Sequence, residues 1–169
     1  GNISTLEGPQ NSADDYGARI RGYITAPLTG VYKFFIAASN TAELWISDDD
    51  DPVNIFKRAQ VLAPTNFREW TNVNAGKSSL LQLYAGRRYY VEVRHKAGVG
   101  ADHVSVGWLK PGEGLPNPAA ATAPSEIVPS YALSPYVAPA IIPGESTLFT
   151  TNLSSQGGAI TNGYGAASL

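Results

Sequence analysis

The chain has 169 residues, with 14 acidic and 12 basic side chains, a formal charge of −2 and no cysteine. That balance offers no electrostatic grip on nucleic acid or on an anionic membrane. It also excludes a disulfide frame, a thiolate metal site and a cysteine nucleophile. No run of about 18 apolar residues would insert into a bilayer. Met is absent even at position 1, as expected of a processed chain or a piece of a longer one. The 17 Gly and 12 Pro suggest many short strands joined by turns.

In chain order, "ARIRGYITA" (18–26) alternates as a strand. Ile20 faces inward, and Tyr23 and Ile24 are further inward candidates. "GVYKFFIAA" (30–38) is a strong strand after the turn "PLTG", and "AELWIS" (42–47) follows a short polar turn. The stretch 48–78 is polar and reads as a long connection over one sheet edge, pinned by Ile55, Phe56 and Trp70. "SLLQLY" (79–84) and "RYYVEVRH" (88–95) flank the turn "AGR". "HVSVGWL" (103–109) follows the glycine-rich loop "KAGVGAD". Six short strands with turn residues between them predict an all-β antiparallel sandwich, with Trp45 and Trp108 in its core.

Composition breaks near Lys110. Residues 111–169 hold no basic residue, three acids and eight of the 12 prolines. Spaced prolines deny a long helix and favour extended chain. The expected organisation is a sandwich over 1–112 and an extended Pro-rich tail over 113–169. A tail without a core of its own must be held by something, its own domain or a neighbour.

Little in the sequence points to catalysis. No G-x-S-x-G, Walker loop or H-E-x-x-H occurs. Glu43 and Glu92 sit in strands among aromatics, within reach of Arg19, Arg21 or Arg94, and read as structural ion pairs. His95 and His103 flank the glycine-rich loop and read as loop-stabilising groups, with a metal pair beside Asp102 as the alternative. The four carboxylates Asp48, Asp49, Asp50 and Asp51 before Pro52 read as a solvated turn, with a weak calcium site as the alternative. Their spacing is not that of an EF-hand loop. Trp70, in the polar stretch "NFREWTN", either plugs the sandwich edge or stacks on a sugar ring. Two N-x-S sequons, at Asn2 and Asn152, matter only where the source glycosylates.

The order of motifs then carries a resemblance. Gly22-Tyr23, the "P-x-x-G-x-Y-x-F" hairpin from Pro27 to Phe34, Leu44-Trp45-Ile46, "L-x-x-G-x-x-Y" from Leu83 to Tyr89 and "W-x-x-P" from Trp108 to Pro111 resemble the PA14 domain family, over about 8–112. The resemblance implies a non-catalytic β-sandwich in secreted or cell-surface proteins. Many members bind glycans, some through calcium held by two adjacent aspartates before the "xLWI" strand. At the matching place this chain has Ser39-Asn40, with Asp102 in the opposing loop. Ser and Asn offer oxygen without charge, so a calcium site here is weak. The resemblance also implies an additional first strand, for which the opening "GNISTLEGPQNSADDYG" leaves little room.

Two functions follow as expectations. One is an extracellular structural or adhesive protein in which copies of the chain link into a filament, the tail of one filling the groove of the next. The tail candidates are 125–137, 140–153 and the terminal "QGGAITNGYGAASL". If the tail fills its own groove, the molecule is a monomer. The alternative is a lectin-like module of an adhesin or carbohydrate-active enzyme that meets cell-surface or matrix glycans. Its ligand-binding candidates are Ser39, Asn40, Trp70, Asp102 and His103. The metal candidates are Asp48, Asp49, Asp50 and Asp102. No cofactor is required on either reading, and calcium is optional.

Overall fold

A computed structural model of the chain describes residues 4–138. It contains ten strands: β1 (Gly17–Thr25), β2 (Gly30–Ala38), β3 (Thr41–Ser47), β4 (Ile55–Val61), β5 (Gly76–Lys77), β6 (Leu81–Leu83), β7 (Arg88–Lys96), β8 (Val104–Leu109), β9 (Glu126–Ile127) and β10 (Leu133–Pro135). They form two antiparallel sheets. The first runs β10-β1-β7-β3-β4 and the second β5-β2-β8-β9, with β6 also on β2. Among the described residues no helix is long and apolar enough to cross a membrane.

Alternation builds the core between the sheets. Ile24 of β1, Leu44 and Ile46 of β3, and Val91 and Val93 of β7 face Tyr32, Phe34 and Ile36 of β2 and Val106 and Trp108 of β8. Tyr23, next to Ile24, points to the other side and packs edge-on against Tyr90. Trp45 likewise faces outward, beneath the Arg94 guanidinium at 4.5 Å. The inward readings of Tyr23 and Trp45 are thus corrected by the period of two: Ile24, Leu44 and Ile46 take the core positions beside them.

The stretch 48–78 is not one connection, because β4 pairs with β3 inside it. Its register slips between Leu44 and Trp45, where Ala59 and Lys57 are the opposing partners and Arg58 is the extra residue. Ala59 and Val61 are buried, while Phe56 is half exposed and pins nothing in the core.

The start of the expected tail completes the sandwich on its own domain. β9 pairs with β8 at Gly107 and Trp108. The buried Val128 donates to Val106 O at 3.0 Å and accepts from the Leu6 N–H at 2.9 Å. Leu6 is itself core, so N-terminal residues and tail share this edge. β10 pairs with β1 at Gly22, Tyr23 and Ile24. Glycine is required at 22, since a Cβ there would lie 2.6 Å from Ser134 O. Between these contacts, residues 111–124 cover the outer side of β2 and β8. Pro124 seats on Gly107, and the buried Lys33 donates to Ala119 O and Ala121 O at 2.5 and 2.8 Å. Among the described residues, 4–136 therefore form one compact unit. The candidate donor segments 140–153 and 156–169, and both sequons, lie outside the described residues.

Candidate functional site

Four loops converge at one end of the sandwich: 8–16, 39–40, 62–74 and 97–103. Backbone bonds join them. Ser39 N–H donates to His103 O at 3.0 Å and Thr65 N–H to Ala38 O at 3.0 Å. Asn11 N–H donates to Asp102 O at 3.1 Å and Asp15 N–H to Gly98 O at 3.2 Å. Four non-glycine residues among those described have positive φ, namely Asn11, Asp15, Asn40 and Arg68, and all lie in this loop cluster. Asn and Asp tolerate the left-handed region, whereas a left-handed arginine must be held there by its surroundings. Arg68 is clamped by Glu7, with Nε and Nη2 donating to the two carboxylate oxygens at 2.8 and 2.7 Å. Its guanidinium also lies over the Phe67 ring at 4.8 Å.

The sequence candidates separate into internal struts and surface groups. Ser39 is buried, and its hydroxyl accepts the His103 N–H at 3.0 Å. His95 Nε2 donates to Ser39 O at 2.8 Å, and His103 Nε2 donates to Thr65 O at 3.1 Å. His103 is buried, and that burial pushes its pKa below the ordinary value despite the Thr65 bond. The Asp102 carboxylate accepts from the Tyr16 hydroxyl and from the Ser12 N–H, the latter at 2.8 Å. The Tyr16 bond chiefly holds its pKa below the ordinary carboxylate range. Asn40 is half-buried at the loop tip, its amide 3.2 Å from where a Cβ on Gly98 would stand. Trp70 is half-buried in the same loop as the exposed Phe67. Phe67 and Arg68 stand beside Trp70 in "NFREW", and only the loop's folded geometry brings them into the site.

These residues do not fit a calcium ion of the kind the resemblance implies. Ser39 is spent on internal bonds, Asp102 is satisfied by Tyr16 and Ser12, and Asn40 carries no charge. The aspartate turn is also engaged. Asp48 pairs with Arg58, and Asp50 with Arg88 at 3.0 Å. Asp49 accepts from Asn54 Nδ2 at 2.7 Å and from the Asp51 N–H at 2.9 Å. Asp102 sits in the loop cluster, apart from that turn. Among the described residues no three His, Asp or Glu form a metal-binding group.

The outer face of the first sheet is a second polar surface. Glu92, 2% exposed, accepts from Arg19 at 2.5 Å, Arg94 at 2.6 Å and the Tyr90 hydroxyl at 2.9 Å. Burial pushes its pKa up, but these donors outweigh burial and hold it at about 2. Glu43 accepts from Trp45 Nε1 and Lys57. Both acids serve structural pairing, Glu92 with the expected Arg19 and Arg94 but Glu43 with Lys57, which the sequence did not single out.

The strand order and registers define an antiparallel β-sandwich module with four cross-bonded loops at one end. The chain belongs to the PA14 domain family, whose pattern it matches over residues 2–120. It is 36% identical over 103 residues to the mouse N-acetyl-beta-glucosaminyl-glycoprotein 4-beta-N-acetylgalactosaminyltransferase 1, across 56% of this chain and 10% of that protein. It is 33% identical over 109 residues to dog fibrocystin, across 57% of this chain and 3% of that protein. It thus spans a small fraction of the curated relatives it matches. Among solved structures, an anti-sigma factor domain-containing protein superposes with a TM-score of 0.52 at 17% identity, over 76% of this chain and 36% of that one, which shows the shared fold.

Proposed function

We propose that this chain is a non-catalytic, extracellular adhesive module that recognises glycans at its loop end without a bridging calcium ion. The observation that carries the proposal is the loop cluster itself. Four loops are cross-bonded, the strained residues concentrate there, and Asn40, Phe67 and Trp70 remain at the surface. Asn40 supplies amide hydrogen bonds, the aromatics supply flat apolar faces for sugar C–H groups, and Ser39, Asp102 and His103 hold the frame. The transferase relative, by its name, acts on β-N-acetylglucosaminyl glycoproteins, which supports glycoprotein glycans as the ligand class. A glycan array probed with the chain in the presence of a chelator tests this. Binding to neutral glycans that persists in chelator and is lost in Asn40→Ala is the expected result. A blank array, or binding that needs calcium, refutes it.

Assembly of copies through the tail is the second reading. It draws on one feature: β10 covers β1 only at Gly22–Ile24, so Gly17–Arg21 pairs on one side only, with β7. Segment 126–135 is already docked within its own chain, so any strand given to a neighbour would come from 140–153 or 156–169. Electron microscopy of the full chain and of a chain ending at 138 decides it. Filaments formed only by the full chain support this reading, and their absence from both rejects it.

A further inference from the structure

A cleft of about 590 Å³ opens where β10 leaves β1. The half-buried Ile20 and Leu133 form its apolar floor above the core residues Leu6 and Val91, and Arg19, Arg21, Tyr23, Ser134 and Tyr136 its polar wall. No residue of the loop cluster lines it. That volume lies within the ordinary range for small-ligand sites and has room for one or two sugar rings.

The wall is built for negative charge. Arg19, Arg21 and Tyr23 alternate along β1 and so share one face. Arg19 stands opposite Arg94 of β7, a like-charge pair relieved by Glu92, which both bond. One carboxylate thus serves two guanidiniums, and Arg21 has no carboxylate partner among the described residues. Arg21 lies 4.4 Å from the Tyr136 ring centroid, and Tyr136 in turn packs against Tyr90 and Tyr23 at 5.5 and 6.2 Å. A guanidinium fixed on an aromatic face keeps its edge donors pre-aimed, which suits two-point capture of a carboxylate or sulfate. Across this sheet face six cations (Arg19, Arg21, Lys57, Arg88, Arg94, Lys96) meet three carboxylates (Glu43, Asp50, Glu92) on a chain of net negative charge. Ser134 lines the cleft with its half-buried backbone and Cβ, its hydroxyl oxygen being turned away from solvent.

We propose that this cleft is a second binding site that takes an acidic saccharide. Arg21 and Arg19 hold its carboxylate or sulfate, and the apolar floor packs the sugar's C–H face. The site is independent of the loop end, and so is its test. The full chain is titrated calorimetrically with a uronic-acid disaccharide, a sulfated disaccharide and a neutral disaccharide of the same size, at low and high salt. Binding of at least one anionic sugar, weakened by salt and absent for the neutral one, is expected. Arg21→Gln weakens it about tenfold or more. Asn40→Ala leaves it unchanged. Arg21 is exposed, so matched melting curves show that its variant is folded. Absence of anion binding, equal affinity in Arg21→Gln, or an acidic peptide binding as tightly as the sugars overturns the assignment. A strand from another copy entering here also overturns it, and shows as concentration-dependent association without anion binding.

Discussion

Glu92→Gln is the sharpest probe of how this sandwich is held. Glu92 lies almost fully buried on the outer sheet face, yet its carboxyl titrates at about 2 rather than 4.5 because Arg19, Arg94 and Tyr90 all donate to it. At full weight a depression of that size is worth about 3 kcal/mol of stability at neutral pH. Arg19 and Arg94 are 54% and 48% exposed, so solvent screens their share and the expected loss is about 1–2 kcal/mol. The sign follows from linkage. A carboxyl with a depressed folded pKa contributes fully above its unfolded value and loses that contribution as pH falls through the folded one. Urea denaturation of both proteins from pH 7 to pH 2 reads it. The wild type should be the more stable at pH 7, and the gap should narrow below about 4.5 and nearly close by about 2. Equal stability at pH 7, or a gap that persists at pH 2, refutes the reasoning.

Three further outcomes follow from the packing. Gly22→Ala should loosen β10 from β1, because the new methyl meets Ser134 O, at about 1–3 kcal/mol. Faster proteolysis near Tyr136 reports it, and an unchanged cleavage rate counts against it. Removing 125–169 strips Val128, Ala132 and the β9 and β10 rungs from the core. The remainder should aggregate or lose about 3 kcal/mol or more, and a peptide of 125–138 should restore it. A stable truncated monomer would show that the tail is dispensable. His103, its pKa lowered by burial, favours folding only while neutral. Stability should therefore be full above about 6.5 and fall as pH drops below it, and His103→Gln should flatten that slope in thermal melts.

The alternation of "ARIRGYITA", "GVYKFFIAA" and "RYYVEVRH" made the central strands legible, because those strands are long and mix core with surface in a period of two. β4 was hidden by its extra residue, Arg58, and by an edge position that leaves Phe56 in solvent. β9 spans two residues between prolines, and β10 three residues ending in one. Such strands have no periodicity of their own and exist only because β8 and β1 offer open edges. Asn40 and Asp102 came from the motif resemblance. Their division into a surface group and an internal strut depends on Tyr16, some 86 positions from Asp102, and no local pattern carries it. The cleft was equally hidden. It depends on Ser134 and Tyr136 folding back beside Arg21, which the proline-rich composition of the tail gave no means to place.

The claim that glycans are read at the loop end meets its most direct test in backbone amide shifts of the labelled chain, titrated in chelator with a neutral glycan that binds it. Shifts centred on Asn40, Phe67, Trp70 and Gly98, with β1 and β10 quiet, are the predicted result. Shifts confined to the β1–β10 cleft, or appearing only after calcium is restored, would contradict it.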